Sequence, residues 1–475
     1  MYKNTEIKFT IKKDLMTNRI SKAKLTLLLL GGLLISNADL QAARKQIPEP
    51  SVKPEKTESV VQENAGTAEV DEDSQAATKR DLQGLTSDVA VLRDQLTRQL
   101  DSNIANTARS LTIGGTLQNR YTAVTSTNQP TSPNGFTVNA AILSFSGALK
   151  KDYEEGRNLT YALSLISTAA TNTFQPYDAY LQYAIFPSLD IEKPNFNITF
   201  GQQAIPFGLE PQVGEDKKPA AVYAIFAGAN GWNLAQRDLG VQLKGDLFPF
   251  VDLAYTYRVP LIQYQLGIFN GSNWNTAETN KSKDVVGRIV LNAPVDYNSD
   301  FRGLSIGSSF YSGEKDLAQS NGTLITGGSG KGTRNRYGAD IAYVASPFGF
   351  TAEYAVGDDD RVISGTTIAN AVKSTIKSKA YTATLFYEWG EQFLNQVRNQ
   401  SRLDDWWPKT YQPFIRYDYF DPDTSVANNE SSVLTYGFNF FFAQTTKLQL
   451  NYNVSNLKNT NVKQSQFIAQ FQFGF

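Results

Sequence analysis

The residues of this chain that could do chemistry are carboxylates, guanidiniums and amines, because it contains no histidine and no cysteine. Without histidine there is no Ser-His-Asp triad, no Cys-His pair and no His-ligated zinc. Without cysteine there is no thiolate, no disulfide and no Cys metal site. The chain therefore reads as a non-enzyme with no cofactor and no metal. Its remaining charges are patterned. Arg120, Lys244, Arg288, Arg336 and Arg416 sit at positions that alternate with apolar ones, and so do Asp238, Asp340, Glu353, Glu388 and Asp418. Fixed charges on one face of successive strands line a passage for ions and small hydrophilic solutes. The formal net charge of −1 supplies no overall field for nucleic acid.

Such a face needs strands of period two, and these fill the chain from Leu111 onward. Leu159, Tyr161, Leu163 and Leu165 alternate with Thr160, Ala162 and Ser164. Tyr381, Ala383, Leu385 and Tyr387 oppose Thr382, Thr384 and Glu388, while Leu448, Leu450, Tyr452 and Val454 oppose Gln449, Asn451 and Asn453. One face suits lipid and the other water, which predicts an all-β fold, a transmembrane antiparallel β-barrel over 111–475. At roughly 23 residues per strand and connection this makes about 16 strands, enough to leave a water-filled lumen. A soluble sandwich would need the polar face outside. The final alternation, Phe467, Ala469, Phe471, Phe473 and Phe475, suits a closing strand that turns aromatics to lipid, and it resembles the C-terminal assembly signal of outer-membrane barrels. Segments rich in Gly, Ser, Asn and Asp are expected as outer loops: Ser126–Gly135, Asn270–Lys283, Ser312–Thr333, Gly357–Lys379 and Asp421–Ser432. Asp358-Asp359-Asp360 reads as a solvated loop tip or a divalent-ion site among lipopolysaccharide phosphates. Pro249 and Pro260 leave Phe248–Ile262 readable as a strand or an inserted loop.

The N-terminal part is organised differently. Lys22 and Lys24 precede a short apolar run from Leu25 to Ile35 and the small-residue site Ser36-Asn37-Ala38, so residues 1–38 are expected to be a secretory signal peptide, with Met16 an alternative start. The run is shorter than the about 20 residues of a spanning helix. Residues 39–78, rich in Pro, Glu, Lys, Ser and Ala, read as a disordered linker. In 79–108, Leu82, Leu85, Val89, Leu92 and Leu96 follow a heptad seam. That predicts an amphipathic helix in the periplasm, either a short trimeric coiled coil or a helix lying against the barrel mouth.

Three segments carry a family resemblance. Phe200-Gly201-Gln202-Gln203-Ala204-Ile205-Pro206-Phe207-Gly208-Leu209-Glu210, Arg237-Asp238-Leu239-Gly240-Val241-Gln242-Leu243-Lys244-Gly245 and Tyr264-Gln265-Leu266-Gly267-Ile268-Phe269-Asn270-Gly271 resemble, in order and spacing, the phosphate-selective porin O and P family. The resemblance implies an outer-membrane homotrimer of 16-stranded barrels embedded in lipid and lipopolysaccharide. It implies passage of small inorganic anions, or other hydrophilic solutes, past an inward-folded third loop. Pro211–Ala235 is then the candidate for that loop, Lys217 and Lys218 its pore-facing cations, and Arg237 and Asp238 partners of each other or of residues across strands. One departure stands out: Phe136–Gly147 contains no Arg or Lys where the family typically carries an Arg-rich strand. A plugged structural or receptor barrel, whose outer loops bind a partner, is the alternative to an open channel.

Overall fold

The computed structural model describes residues 89, 111–126, 134–169, 173–214, 217–255, 257–278, 281–317, 331–345, 347–365, 367, 370–390, 407–443, 445–458 and 462–474. The predicted signal peptide (1–38), linker (39–78) and, except for Val89, the predicted helix (79–108) lie outside these residues, as does Phe475.

From Thr112 the period-two sequence forms strands. They are β1 (Thr112–Ser126), β2 (Gly135–Lys150), β3 (Leu159–Thr168), β4 (Gln175–Ala184), β5 (Phe196–Ala204) and β6 (Arg237–Asp252). Then come β7 (Tyr257–Phe269), β8 (Asp284–Asn292), β9 (Leu304–Asp316), β10 (Lys331–Ala345), β11 (Phe348–Ser364) and β12 (Val372–Tyr387). The last are β13 (Trp389–Gly390), β14 (Thr410–Asp421), β15 (Ser431–Phe441), β16 (Lys447–Leu457) and β17 (Val462–Gly474). Successive strands pair antiparallel, and β1 pairs back onto β17 from Thr116↔Gly474 to Ser126↔Gln464. The sheet is thus closed and has no free edge. The seventeen segments occupy sixteen wall positions, because β13 continues β12 past Glu388 and both pair with β14. We call the end where β1 starts and β17 finishes the terminal end, and the opposite one the hairpin end.

The wall is inside out relative to a soluble fold. On β16, Lys447, Gln449, Asn451 and Asn453 are buried, whereas Tyr452 and Val454 are exposed. On β14, Gln412, Arg416 and Asp418 are buried while Ile415 and Tyr417 are exposed. Each large apolar side chain left in water forfeits about 1.5–3 kcal/mol of burial, so rows of them are stable only against lipid. Aromatics mark the borders of this band. Near the terminal end Trp389 stacks on Tyr411 at 5.6 Å and Phe438 lies 4.7 Å from Phe440; near the hairpin end Tyr381 stacks on Tyr419 at 4.7 Å. Tyr411 and Tyr419 are both on β14. Their spacing is roughly 26 Å of strand at ~3.3 Å per residue, or about 20 Å along the barrel axis at a tilt near 40°. That is close to the apolar band of about 25 Å expected between two girdles.

Three expectations change. Phe248–Ile262 is a hairpin, not an insertion: Leu247 pairs with Ile262 and Pro249 with Pro260 in one unbroken register, while Phe248 between them adopts φ 53°. Neither proline can donate to the ladder, which is why the sequence hid a strand there. Most of Gly357–Lys379 and the two ends of Ser312–Thr333 are strand rather than loop, since β9, β11 and β12 extend past the aromatic belt. Beyond the lipid both faces meet water, so alternation fades while the ladder continues. Asp358-Asp359-Asp360 consequently lies on β11 and is not a loop tip. Asp359 accepts from Lys315 at 3.1 Å and Arg336 at 2.6 Å, and Asp360 accepts from the Thr333 N–H and the Thr375 hydroxyl. No acidic cluster suited to a metal occurs among the described residues.

Candidate functional site: a loop folded into the lumen

After β5 the chain does not cross directly to β6 but turns into the barrel over residues 205–236. The turn is set by Pro206-Phe207-Gly208. Gly208 has φ 69°, and a Cβ there would fall on the Glu353 carboxylate. Its N–H donates to Ser309 Oγ at 3.0 Å, and the next two N–H groups, of Leu209 and Glu210, donate to Glu353 Oε2 at 3.1 and 3.0 Å. A buried carboxylate on β11 therefore caps the loop's first turn. Between Gly208's neighbours, Phe207 is wholly buried and joins Ile205, Ala224, Phe226, Ala227 and Leu234 of the loop against Phe269, Val286, Tyr311, Ala355, Ala380 and Phe420 of the wall. The loop thus carries an apolar core into a polar lumen and leans on one side of it.

Its far side is latched through backbone carbonyls. Lys447 Nζ donates to the Lys218 carbonyl at 2.7 Å, Gln449 Nε2 to those of Lys218 and Pro219, and Asn439 Nδ2 to that of Pro219 at 2.9 Å. Arg120 Nη2 reaches the Ala221 carbonyl at 2.6 Å, and Arg416 reaches those of Val222 and Tyr223 at 2.8 and 3.2 Å. Trp232 Nε1 donates to Ser378 Oγ at 3.2 Å. Five successive strands, β14 to β17 and β1, are tied together here, since Gln470 of β17 also accepts from Arg120 at 2.9 Å.

The eight cations singled out from sequence therefore have different surroundings. Arg288 is buried and holds Asp340 with two hydrogen bonds of 2.5 and 2.8 Å. Arg336 holds Asp359 and lies 4.8 Å from the Trp232 ring. Arg416 pairs with Asp418 at 2.9 Å and Glu210 at 3.4 Å while latching the loop, and Arg120 is a second latch. Lys218 is buried with its ammonium over the Tyr223 ring, whereas Lys217 is exposed. Lys244 lies 5.9 Å from the Tyr180 ring and forms no ion pair among the described residues. Arg237 pairs across strands with Asp178 at 2.9 Å, not with Asp238, which instead accepts from the N–H groups of Gly271 and Leu239. Lys447, Asn439 and Asp178 were missed by sequence reasoning. Lys447 shares the parity of Gln449 and Asn451, which was a usable signal.

The loop separates two cavities. One of about 600 Å³ opens toward the hairpin end between Arg120, Asn139, Tyr177, Trp274, Asn453 and the loop. Another of about 400 Å³ lies toward the terminal end and includes Lys217, Thr384, Glu388 and Gln412. Between loop and wall at β1–β4 remains a narrow cavity of about 190 Å³, lined by Thr116, Ser144, Ser164, Asp178, Gln212 and Arg237 among others.

Known proteins can be set beside this geometry. No curated protein matches the chain. Among solved structures the chain is similar to OmpF of Salmonella typhi in complex with daunomycin, at 15% identity and TM-score 0.48 over 78% of this chain and 99% of that one. It is also similar to a loop L8 deletion mutant of OmpT, an outer membrane protein of Vibrio cholerae, at 10% identity and TM-score 0.47 over 77% and 100% of the two chains. OprB of Pseudomonas putida aligns at 8% identity and TM-score 0.45 over 79% and 96%. The family model for phosphate-selective porin O and P matches residues 111–475, the whole barrel with its inward loop, and the chain belongs to that family.

Proposed function

We propose that this porin is a water-filled channel through the outer membrane for the passive diffusion of small hydrophilic solutes. The observation that carries the reading is an inside-out barrel whose lumen is narrowed from one side by a latched loop, with open volumes of about 600 and 400 Å³ on its two faces. An anion preference rests on the family and on two cations. Lys217 is exposed beside the terminal-end cavity, and Lys244 lacks an acidic partner among the described residues. Arg288, Arg336 and Arg416 are spent on carboxylates, and β2 carries no Arg, so no basic ladder reinforces those two. We place the periplasm at the terminal end, with 1–38 removed on export, 39–78 a spacer and 79–108 a helix that helps three copies assemble. Lipopolysaccharide would then surround the hairpin end.

The test is single-channel conductance in a planar bilayer, with the reversal potential under a salt gradient. A conducting channel with a modest anion preference is expected; clear cation selectivity would remove the anion preference and leave the pore. A plugged barrel with partner-binding loops is the second reading, favoured by the apolar core that the loop brings into the lumen. Folded protein with no conductance would select it.

A further inference from the structure

We infer that the narrow cavity beside the loop is a weak binding site for zwitterionic solutes, small amino acids in chemical class, and that Arg237 and Asp178 make it. This rests on the channel reading. Among the described residues the two are the only formal charges lining the 190 Å³ cavity; the polar remainder of those residues, including Thr116, Ser144, Ser164 and Gln212, is neutral. They also differ in accessibility from the Arg288–Asp340 and Arg416–Asp418 pairs. Their side chains keep 16% and 19% exposure, against 5% and 1% for Arg288 and Asp340 and 3% and 2% for Arg416 and Asp418.

Neither residue is saturated. Arg237 Nε donates to Asp178 Oδ1 and Nη1 to the Ala235 carbonyl at 3.2 Å. Nη2 of Arg237 and Oδ2 of Asp178 have no hydrogen-bond partner among the described residues. The guanidinium is held in place by the Tyr177 ring, 3.8 Å away, so its free edge is preorganised rather than mobile.

Charge then decides the solute. A lone anion drawn to Arg237 meets repulsion from Asp178, a lone cation meets the reverse, and a polyol gains neither attraction. A solute carrying a carboxylate and an ammonium on neighbouring atoms satisfies both, the carboxylate at Nη2 and the ammonium at Oδ2. Because each residue is already half engaged with the other, the contact stays weak enough for release, which conduction requires.

The experiment is osmotic swelling of proteoliposomes containing the full-length protein, comparing alanine with glycerol, a neutral solute of similar size, each rate taken in excess of that into protein-free liposomes of the same lipid. Alanine is expected to enter severalfold faster than glycerol through the wild type. The alanine-to-glycerol ratio is expected to fall toward one in both Asp178→Asn and Arg237→Gln, with glycerol entry reporting that each variant has folded. A wild-type ratio near one overturns the site even if no variant folds, and so does a raised ratio that survives both substitutions. Folded wild-type protein that admits neither solute overturns the channel reading and the site together, a result distinct from equal entry of the two.

Discussion

At Gly208 a single missing methylene decides whether the loop stays inside. The residue sits at φ 69° with the Glu353 carboxylate where a Cβ would be. For any L side chain the left-handed conformation costs about 1–2 kcal/mol. Displacing the carboxylate would further strand the N–H groups of Leu209 and Glu210, at roughly 1–3 kcal/mol for each buried donor left unpaired. Gly208→Ala is therefore expected to loosen the loop from the β11 wall. Single-channel recordings should show raised open-channel noise and a larger mean conductance. Traces indistinguishable from wild type would show that Glu353 does not hold the turn. The sequence displayed Pro206-Phe207-Gly208 as a recognisable segment, but its physical reason lay out of sight, because Glu353 is 144 residues away from Leu209. The same distance problem hid the pairing of the cations. Arg416 meets Glu210 across 206 positions, and nothing local separates such a latch from a pore-facing charge.

The strands were legible because each needs only its own alternation: Leu448, Leu450 and Tyr452 against Gln449 and Asn451 reveal both the element and its faces. Residues 205–236 have no such period, since Phe207, Phe226 and Leu234 bury themselves in a small core that only the tertiary fold creates. Turns fall between these cases. Asp152, in the β2–β3 connection at the terminal end, accepts the N–H groups of Glu154, Glu155 and Arg157 at 3.0, 3.1 and 3.4 Å. The Glu155 N–H, helped by the other two and by Lys150, holds its carboxyl below the ordinary range against the opposing effect of burial. With the folded pKa depressed, the order this carboxylate gives the turn is present above its unfolded pKa of about 3.9 and is lost as pH falls through the lower folded value. An NMR titration should give an Asp152 midpoint below that of an unfolded peptide, with exchange of the Glu155 amide rising only at the acid end. A midpoint at or above the peptide value would contradict the turn geometry.

For the molecule as a whole, one closed sheet separates two solvents, and substitutions should sort by the face they occupy. Leu450 lies on the outward face of β16, paired with Phe438, whereas Asn453 borders the hairpin-end cavity. Leu450→Arg is expected to destabilise the barrel by up to ~2–4 kcal/mol, the cost of arginine at a bilayer midplane, which falls toward the aromatic borders. Asn453→Arg should leave unfolding close to wild type and shift the reversal potential toward anions instead. Denaturant unfolding from lipid vesicles reads the first and bilayer recordings the second; equal destabilisation by both would contradict the assignment of faces.

The latches on the loop have one more consequence, for the order in which the barrel is made. Gln118 and Gln472, which join β1 to β17 at 3.0 Å, are 354 residues apart. Bringing such distant segments together costs on the order of 5 kcal/mol in chain entropy, from the logarithmic dependence on loop length. Arg120 on β1 and Lys447 on β16 flank that junction, and both grip carbonyls of 218–221, only 101 and 229 residues from them. The folded loop therefore offers each of the two late-meeting parts of the wall a nearer partner, in matching register, before they meet each other. What narrows the channel in the finished protein is thus also placed to act as a jig while the wall closes.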